Sequence, residues 1–190
     1  MVPASSPSVC YVVDTRASQF TVQAFASGLA AAVAHSPKIA IRDWDGEARF
    51  TPGTLTDASI RVRIKTASLE VLDEMRDSDR RELLRVLNGE VLETQRFPEV
   101  IFESSEARAE RQKDDLYRLK VQGRLDLHGV VSDHSFVAQV ALGVDSARAY
   151  GEFKLQQTDY GIRIASVGGG TLRLQDELKF SFYVVARKRA

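Results

Sequence analysis

The chain has 190 residues, the size of one well-packed domain, and its 44% apolar and 27% charged content is ordinary for a soluble core. Its 26 basic side chains balance 26 acidic ones, so no electrostatic footprint marks it for nucleic acid or for an anionic membrane surface. The single cysteine, Cys10, has no partner for an intramolecular disulfide, and residues 1–8 lack both the basic and the apolar region of a secretory signal, so a cytoplasmic protein is expected. The Ala-rich run from Ala24 to Ala34 is too short to span a bilayer.

Residues 1–8, rich in Pro and Ser, read as a flexible tail ahead of a single domain over residues 9–187. Val9–Val13 and Ser18–Phe25 read as strands. In the second, Phe20, Val22 and Ala24 alternate with Gln19, Thr21 and Gln23, and a period of two sends successive side chains to opposite faces. Ser27 to His35, with Gly28 and four alanines, suits a short helical turn or a close-packed crossing. Ile39–Ile41 and Glu47–Phe50 are strand segments split near Asp43 to Gly46, and Thr51-Pro52-Gly53 is a turn. Ile60, Val62 and Ile64 against Arg61, Arg63 and Lys65 form a half-buried strand with a solvated basic face. Asp79 and Glu82 have capping-box spacing, and Leu83, Leu84, Leu87 and Val91 recur at helical spacing. A left-handed glycine in Asn88-Gly89 is expected to interrupt or end that helix.

Phe97-Pro98 restarts extended structure, with Val100 and Phe102 on one face, and Arg111 to Asp115 is a charged turn. Leu119, Val121, Leu125 and Leu127 then alternate with Lys120, Gln122, Arg124 and Asp126. After a polar break at His128 to Ser135, Phe136, Ala138, Val140 and Leu142 resume the same period. Such a pair of runs is an antiparallel hairpin with one wet face, unlike the strands of a parallel sheet buried on both sides. Ala147, Ala149, Gly151, Phe153 and Leu155 form another strand. Leu172 and Leu174 lead through a turn at Asp176-Glu177 to Leu178, Phe180, Phe182 and Val184. At least eight strands with one short helical insertion predict a mainly β fold, an antiparallel barrel of about eight strands.

Several short motifs follow one another over nearly the whole chain. They are Tyr11-Val12-Val13-Asp14 with Ser18 and Phe20, then His35 to Asp45, then Thr66-Ala67-Ser68, then Arg96-Phe97-Pro98 with Val100 and Phe102. Gly123 to Val130 and Asp159-Tyr160-Gly161-Ile162 complete the series. In order and spacing this resembles the YceI-like family, the lipocalin-like polyisoprenoid-binding proteins. The resemblance implies a lipocalin-like barrel whose long apolar interior takes an isoprenoid or fatty chain, and a homodimer.

On that reading Phe20, Val22, Ile41, Ile64, Phe102, Leu125, Leu127, Phe153 and Phe182 contact the ligand, while His128, Asp159 and Tyr160 stand at the cavity rim. The same alternation also fits an interior filled by side chains, in a ligand-free interaction or stress-related barrel, because periodicity tells sides and not volume. No cofactor is expected. His35, His128 and His134 have no zinc spacing, and one cysteine makes no thiolate site. There is no Gly-x-Ser-x-Gly elbow, and Gly168-Gly169-Gly170 lacks the Lys-Ser/Thr ending of a phosphate loop. The partner that the resemblance implies is an apolar small molecule, bound without catalysis, with neither nucleic acid nor stable membrane insertion expected.

Overall fold

The computed structural model describes residues 8–27, 36–164, 166–167 and 172–189. Residues 1–7 of the expected tail, residues 28–35 of the segment read over Ser27 to His35, and the glycine run at 168–170 lie outside the described residues. The strands are Val9–Val13 (β1), Gln19–Ser27 (β2), Lys38–Ile41 (β3), Trp44–Thr51 (β4), Thr56–Lys65 (β5) and Leu69–Val71 (β6). Glu99–Lys113 (β7), Leu116–Leu127 (β8), Val130–Leu142 (β9), Ser146–Gln156 (β10), Ser166–Val167 (β11) and Leu172–Lys188 (β12) follow. The helix Asp77–Val86 (α1) runs on as a π turn over Leu87–Val91.

All the pairings are antiparallel. The order β1-β4-β5-β7-β8-β9-β10-β12 closes on itself because β12 also pairs with β1, which makes an eight-stranded barrel with one short helix. Alternation along each strand places one apolar row inside and a charged row outside, as in β8, where Tyr117, Leu119, Val121, Leu125 and Leu127 are buried.

Three of the eight staves are bent. β1 and β2 lie end to end along β12 with a 3-10 turn, Thr15–Ala17, between them. Likewise β3 continues β4 past Arg42 and Asp43, and β6 continues β5 past Thr66–Ser68. Asp14 anchors the first bend: one carboxylate oxygen accepts from the Ala17 N–H (3.3 Å) and the other from Arg187 Nε (2.9 Å). The Arg187 bond is the main reason its carboxyl sits below the usual carboxylate range. Among the described residues β6 has no ladder with β7. The helix stands there instead, with Leu87 and Val91 buried and Arg80 donating to the carbonyls of Val71 and Asp73.

Several ends differ from the periodic pattern. α1 begins three residues before the capping-box spacing suggests, so Asp79 lies within its first turn and pairs with Arg76 (2.9 Å) instead of capping. A carboxylate there is favoured by the helix dipole. Gly89 is not left-handed; the chain passes through it as a π turn closed by Leu92 N–H to the Leu87 carbonyl at 2.9 Å. The turn after β7 is only Asp114 and Asp115, and β9 starts at Val130 through a two-residue turn with His128 (φ +55°) and Gly129 (φ +75°). Asp176-Glu177 is not a turn but part of an irregularity within β12, where pairing with β2 changes register between Leu174 and Leu178.

Two inward glycines set the width of the interior. A Cβ on Gly123 would press on the Glu103 carbonyl and come within 2.6 Å of the Phe102 ring. One on Gly151 would come within 2.6 Å of the Val137 carbonyl oxygen and 2.7 Å of the Phe182 ring. Their missing side chains let both phenylalanine rings lie across the neighbouring strand.

Candidate functional site: an apolar cavity

The inner faces line a cavity of about 290 Å³. One water needs roughly 10–15 Å³ measured in the same way, so the interior is not filled by its own side chains. Phe20 and Val22 come to the wall from β2, Ile41 from β3, Ile64 from β5 and Phe102 from β7. Leu125 and Leu127 come from β8, Phe153 from β10 and Phe182 from β12, so all nine expected wall positions line this one space. Leu87, Val91 and Leu92 reach it from the π turn and the residue after it.

A belt of rings crosses the wall. Trp44 meets Phe20 edge-on (5.8 Å), Phe20 meets Phe180 (6.2 Å), and Phe180 stacks on Phe153 (4.8 Å, 2° between planes). Phe153 leads to Phe136 (5.7 Å) and Phe136 to Phe102 (5.4 Å). Such pairs contribute about 0.5–1.5 kcal/mol each beyond area burial, which fixes the shape of the wall.

Besides the Trp44 indole, five wall residues carry polar side chains. Glu47 and Arg61 turn outward, where Arg61 pairs with Glu103 (3.2 Å) and Glu47 with Arg49 (3.9 Å). Thr66 Oγ1 donates to the Phe97 carbonyl (2.8 Å), and Gln157 Nε2 to the carbonyls of Gln175 (3.0 Å) and Asp176 (3.3 Å). His134 is different. It occupies an inward position of β9, its ring 4.9 Å from Phe153, and its buried Nε2 has no hydrogen-bond partner. Burial alone pushes its pKa below the ordinary histidine value of 6.5.

That shift has a testable sign. The unfolded chain takes up a proton near pH 6.5 that the folded state resists, so this group costs stability as pH falls below that value. Melting temperature is expected to drop between roughly pH 7.5 and 5.5, and to drop less in His134→Gln. Equal losses in both proteins would show that His134 titrates normally.

None of the three residues expected at the rim is among those that line the cavity. His128 packs on Phe97 (4.2 Å between centroids), and its Nε2 lies 3.1 Å from a Glu93 carboxylate oxygen but out of line for a hydrogen bond. It stitches the β8–β9 turn to the segment before β7. Asp159 is exposed on the 3-10 turn Gln157–Tyr160. Tyr160 is buried with Ser132 as a hydrogen-bond partner, and its pKa is raised first by burial and then by Asp159. Sequence reasoning singled out His128 and passed over His134. The available signal was parity, because a strand starting at Val130 turns Ser132, His134 and Phe136 to one side.

Among the described residues no three His, Cys, Asp or Glu side chains are grouped to hold a metal ion, and no helix is long and apolar enough to cross a membrane. Treatment with EDTA is expected to leave the melting temperature unchanged, which differential scanning fluorimetry would check.

A closed antiparallel barrel around an apolar hollow defines the class: up-and-down barrels of the lipocalin type, whose interior has room for one small molecule. The YceI-like domain matches residues 11–186, and the chain belongs to that family. BcnA of Burkholderia cenocepacia superposes with a TM-score of 0.72 at 17% identity, over 91% of this chain and 98% of that one. A polyisoprenoid binding domain from Saccharophagus degradans gives 0.67 at 12% identity, over 95% and 99%. The YCEI protein of Campylobacter jejuni gives 0.62 at 20% identity, over 83% and 88%. No curated protein matches the sequence.

Proposed function

We propose that this protein binds a long apolar molecule, an isoprenoid or fatty chain, inside the barrel and carries or sequesters it without altering it. The observation that carries this reading is the almost wholly apolar cavity of about 290 Å³ within the barrel. The description of the similar Saccharophagus degradans domain as polyisoprenoid binding supports it. The driving force is desolvation: each buried methylene contributes about 0.8 kcal/mol. Some fifteen of them supply roughly 12 kcal/mol, and ordering the chain and losing its translation offset several of these. Micromolar binding, about −8 kcal/mol, is then within reach with few polar contacts. Homodimerisation and a cytoplasmic location belong to the same reading, to be checked by analytical ultracentrifugation and cell fractionation.

The test is native mass spectrometry of freshly purified protein, followed by titration of the delipidated protein with N-phenyl-1-naphthylamine. A stoichiometric long-chain molecule, or saturable binding at micromolar concentration, is expected. Protein that releases no lipid and binds no probe would overturn the carrier reading.

A further inference from the structure

We propose that the cavity selects a long-chain molecule bearing one uncharged hydroxyl group, and that His134 holds this hydroxyl inside the barrel. The inference rests on the carrier reading and adds the chemistry of the ligand to it. Of the polar side chains on wall residues, Thr66 and Gln157 have their hydrogen bonds and Glu47 and Arg61 their ion pairs. Among the described wall residues only His134 has a buried side-chain polar atom, Nε2, without a hydrogen-bond partner.

A buried nitrogen without a partner costs about 1–3 kcal/mol in lost hydration. A hydrocarbon leaves that cost in place, whereas a ligand with a hydroxyl removes it. Nε2 is now covered by its surroundings, and the ring stands edge-on to Phe153. The terminal torsion of histidine is broad, so the imidazole can turn Nε2 toward the cavity while β9 stays still.

The charge state of the group follows from the wall. A neutral imidazole offers one donor and one acceptor, and a hydroxyl, which is both, fits either tautomer. An ionised carboxylate needs a cation inside the cavity. The one cationic side chain of a wall residue, Arg61, faces outward and is paired with Glu103. A carboxylate buried without a counter-charge is strongly disfavoured.

The experiment is displacement of N-phenyl-1-naphthylamine by dodecan-1-ol, by its isomer 1-methoxyundecane and by dodecanoate, at pH 7.5. The two isomers have equal heavy-atom counts, so apolar burial is matched and hydrogen-bond donation differs. Wild type is expected to prefer the alcohol over the ether by about tenfold, the scale of one buried neutral hydrogen bond. His134→Val should bring the two within about twofold, and His134→Gln, which keeps a donor and an acceptor, should retain part of the preference. Circular dichroism melts establish that both variants fold, and the alcohol-to-ether ratio of wild type needs no variant. Equal binding of the isomers by wild type, or dodecanoate binding tighter than the alcohol, would overturn the assignment while leaving the carrier reading standing. Failure of the probe and all three competitors to bind would overturn both.

Discussion

Phe182→Asp is expected to weaken binding of an apolar fluorescent probe by about a hundredfold, while Tyr183→Asp leaves it within about threefold. The two residues are neighbours on β12, yet Phe182 lines the cavity and contacts Phe20 and Phe136, whereas Tyr183 is 42% exposed on the outer face beside Tyr150. Removing the ring forfeits about 1.5–3 kcal/mol of apolar contact. The carboxyl that replaces it must either take up a proton or draw in water, and both oppose an apolar guest. Titration of both folded variants decides the matter. Equal affinities would contradict the inward placement of Phe182 or the carrier reading itself.

The second large effect concerns stability. Gly123→Ala is expected to lower the melting temperature by roughly 6–12 °C, the equivalent of about 3 kcal/mol of overpacking in a chain of this size. The added methyl meets the Glu103 carbonyl and the Ser104 Cα (2.8 Å), backbone atoms of β7 that cannot step aside, as well as the Phe102 ring. Gly89→Ala provides the contrast. Its Cβ would meet nothing within 4 Å, and its backbone is already in a right-handed region, so no loss is expected. Thermal melts by circular dichroism measure both. A Gly123→Ala protein as stable as wild type would show that the β7–β8 ladder gives way at this point.

Much of the barrel was legible because water faces one side of nearly every strand. The alternation of Leu119, Val121, Leu125 and Leu127 with charged neighbours corresponds to buried and outward positions of β8. The failures occur where an inward position is not large and apolar. Ser132 and His134 made the first half of β9 look like a loop, and Ala107 and Ala109 among charges concealed the end of β7. In β12 the register change between Leu174 and Leu178 broke the period without ending the strand. The nine wall positions were readable from parity alone. The cavity was not, since its volume depends on how many strands close the sheet and on Gly123 and Gly151 letting rings lie down across it. His128, Asp159 and Tyr160, expected at the rim, are not among the residues that line the cavity. Proximity to a turn says nothing about whether a side chain points along the barrel axis or sideways into a neighbouring segment.

The three bent staves have a mechanical consequence. Their interruptions at Asp14 to Ser18, Arg42 to Asp43 and Thr66 to Ser68 fall side by side, stitched by Arg42 N–H to the Ser68 carbonyl (3.1 Å) and Lys65 N–H to the Asp43 carbonyl (2.9 Å). Together they form a crease across the sheet. On one side lies an unbroken hoop in which β4, β5, β7, β8, β9, β10, β12 and β1 fix the circumference. On the other lies a flap of β2, β3 and β6, anchored along β12 and meeting the helix at its far edge. Bending along a crease would leave the ladders on both sides intact, so the wall that carries Val22, Ile39 and Leu69 can shift with less loss of strand pairing than the unbroken wall of β8 to β10.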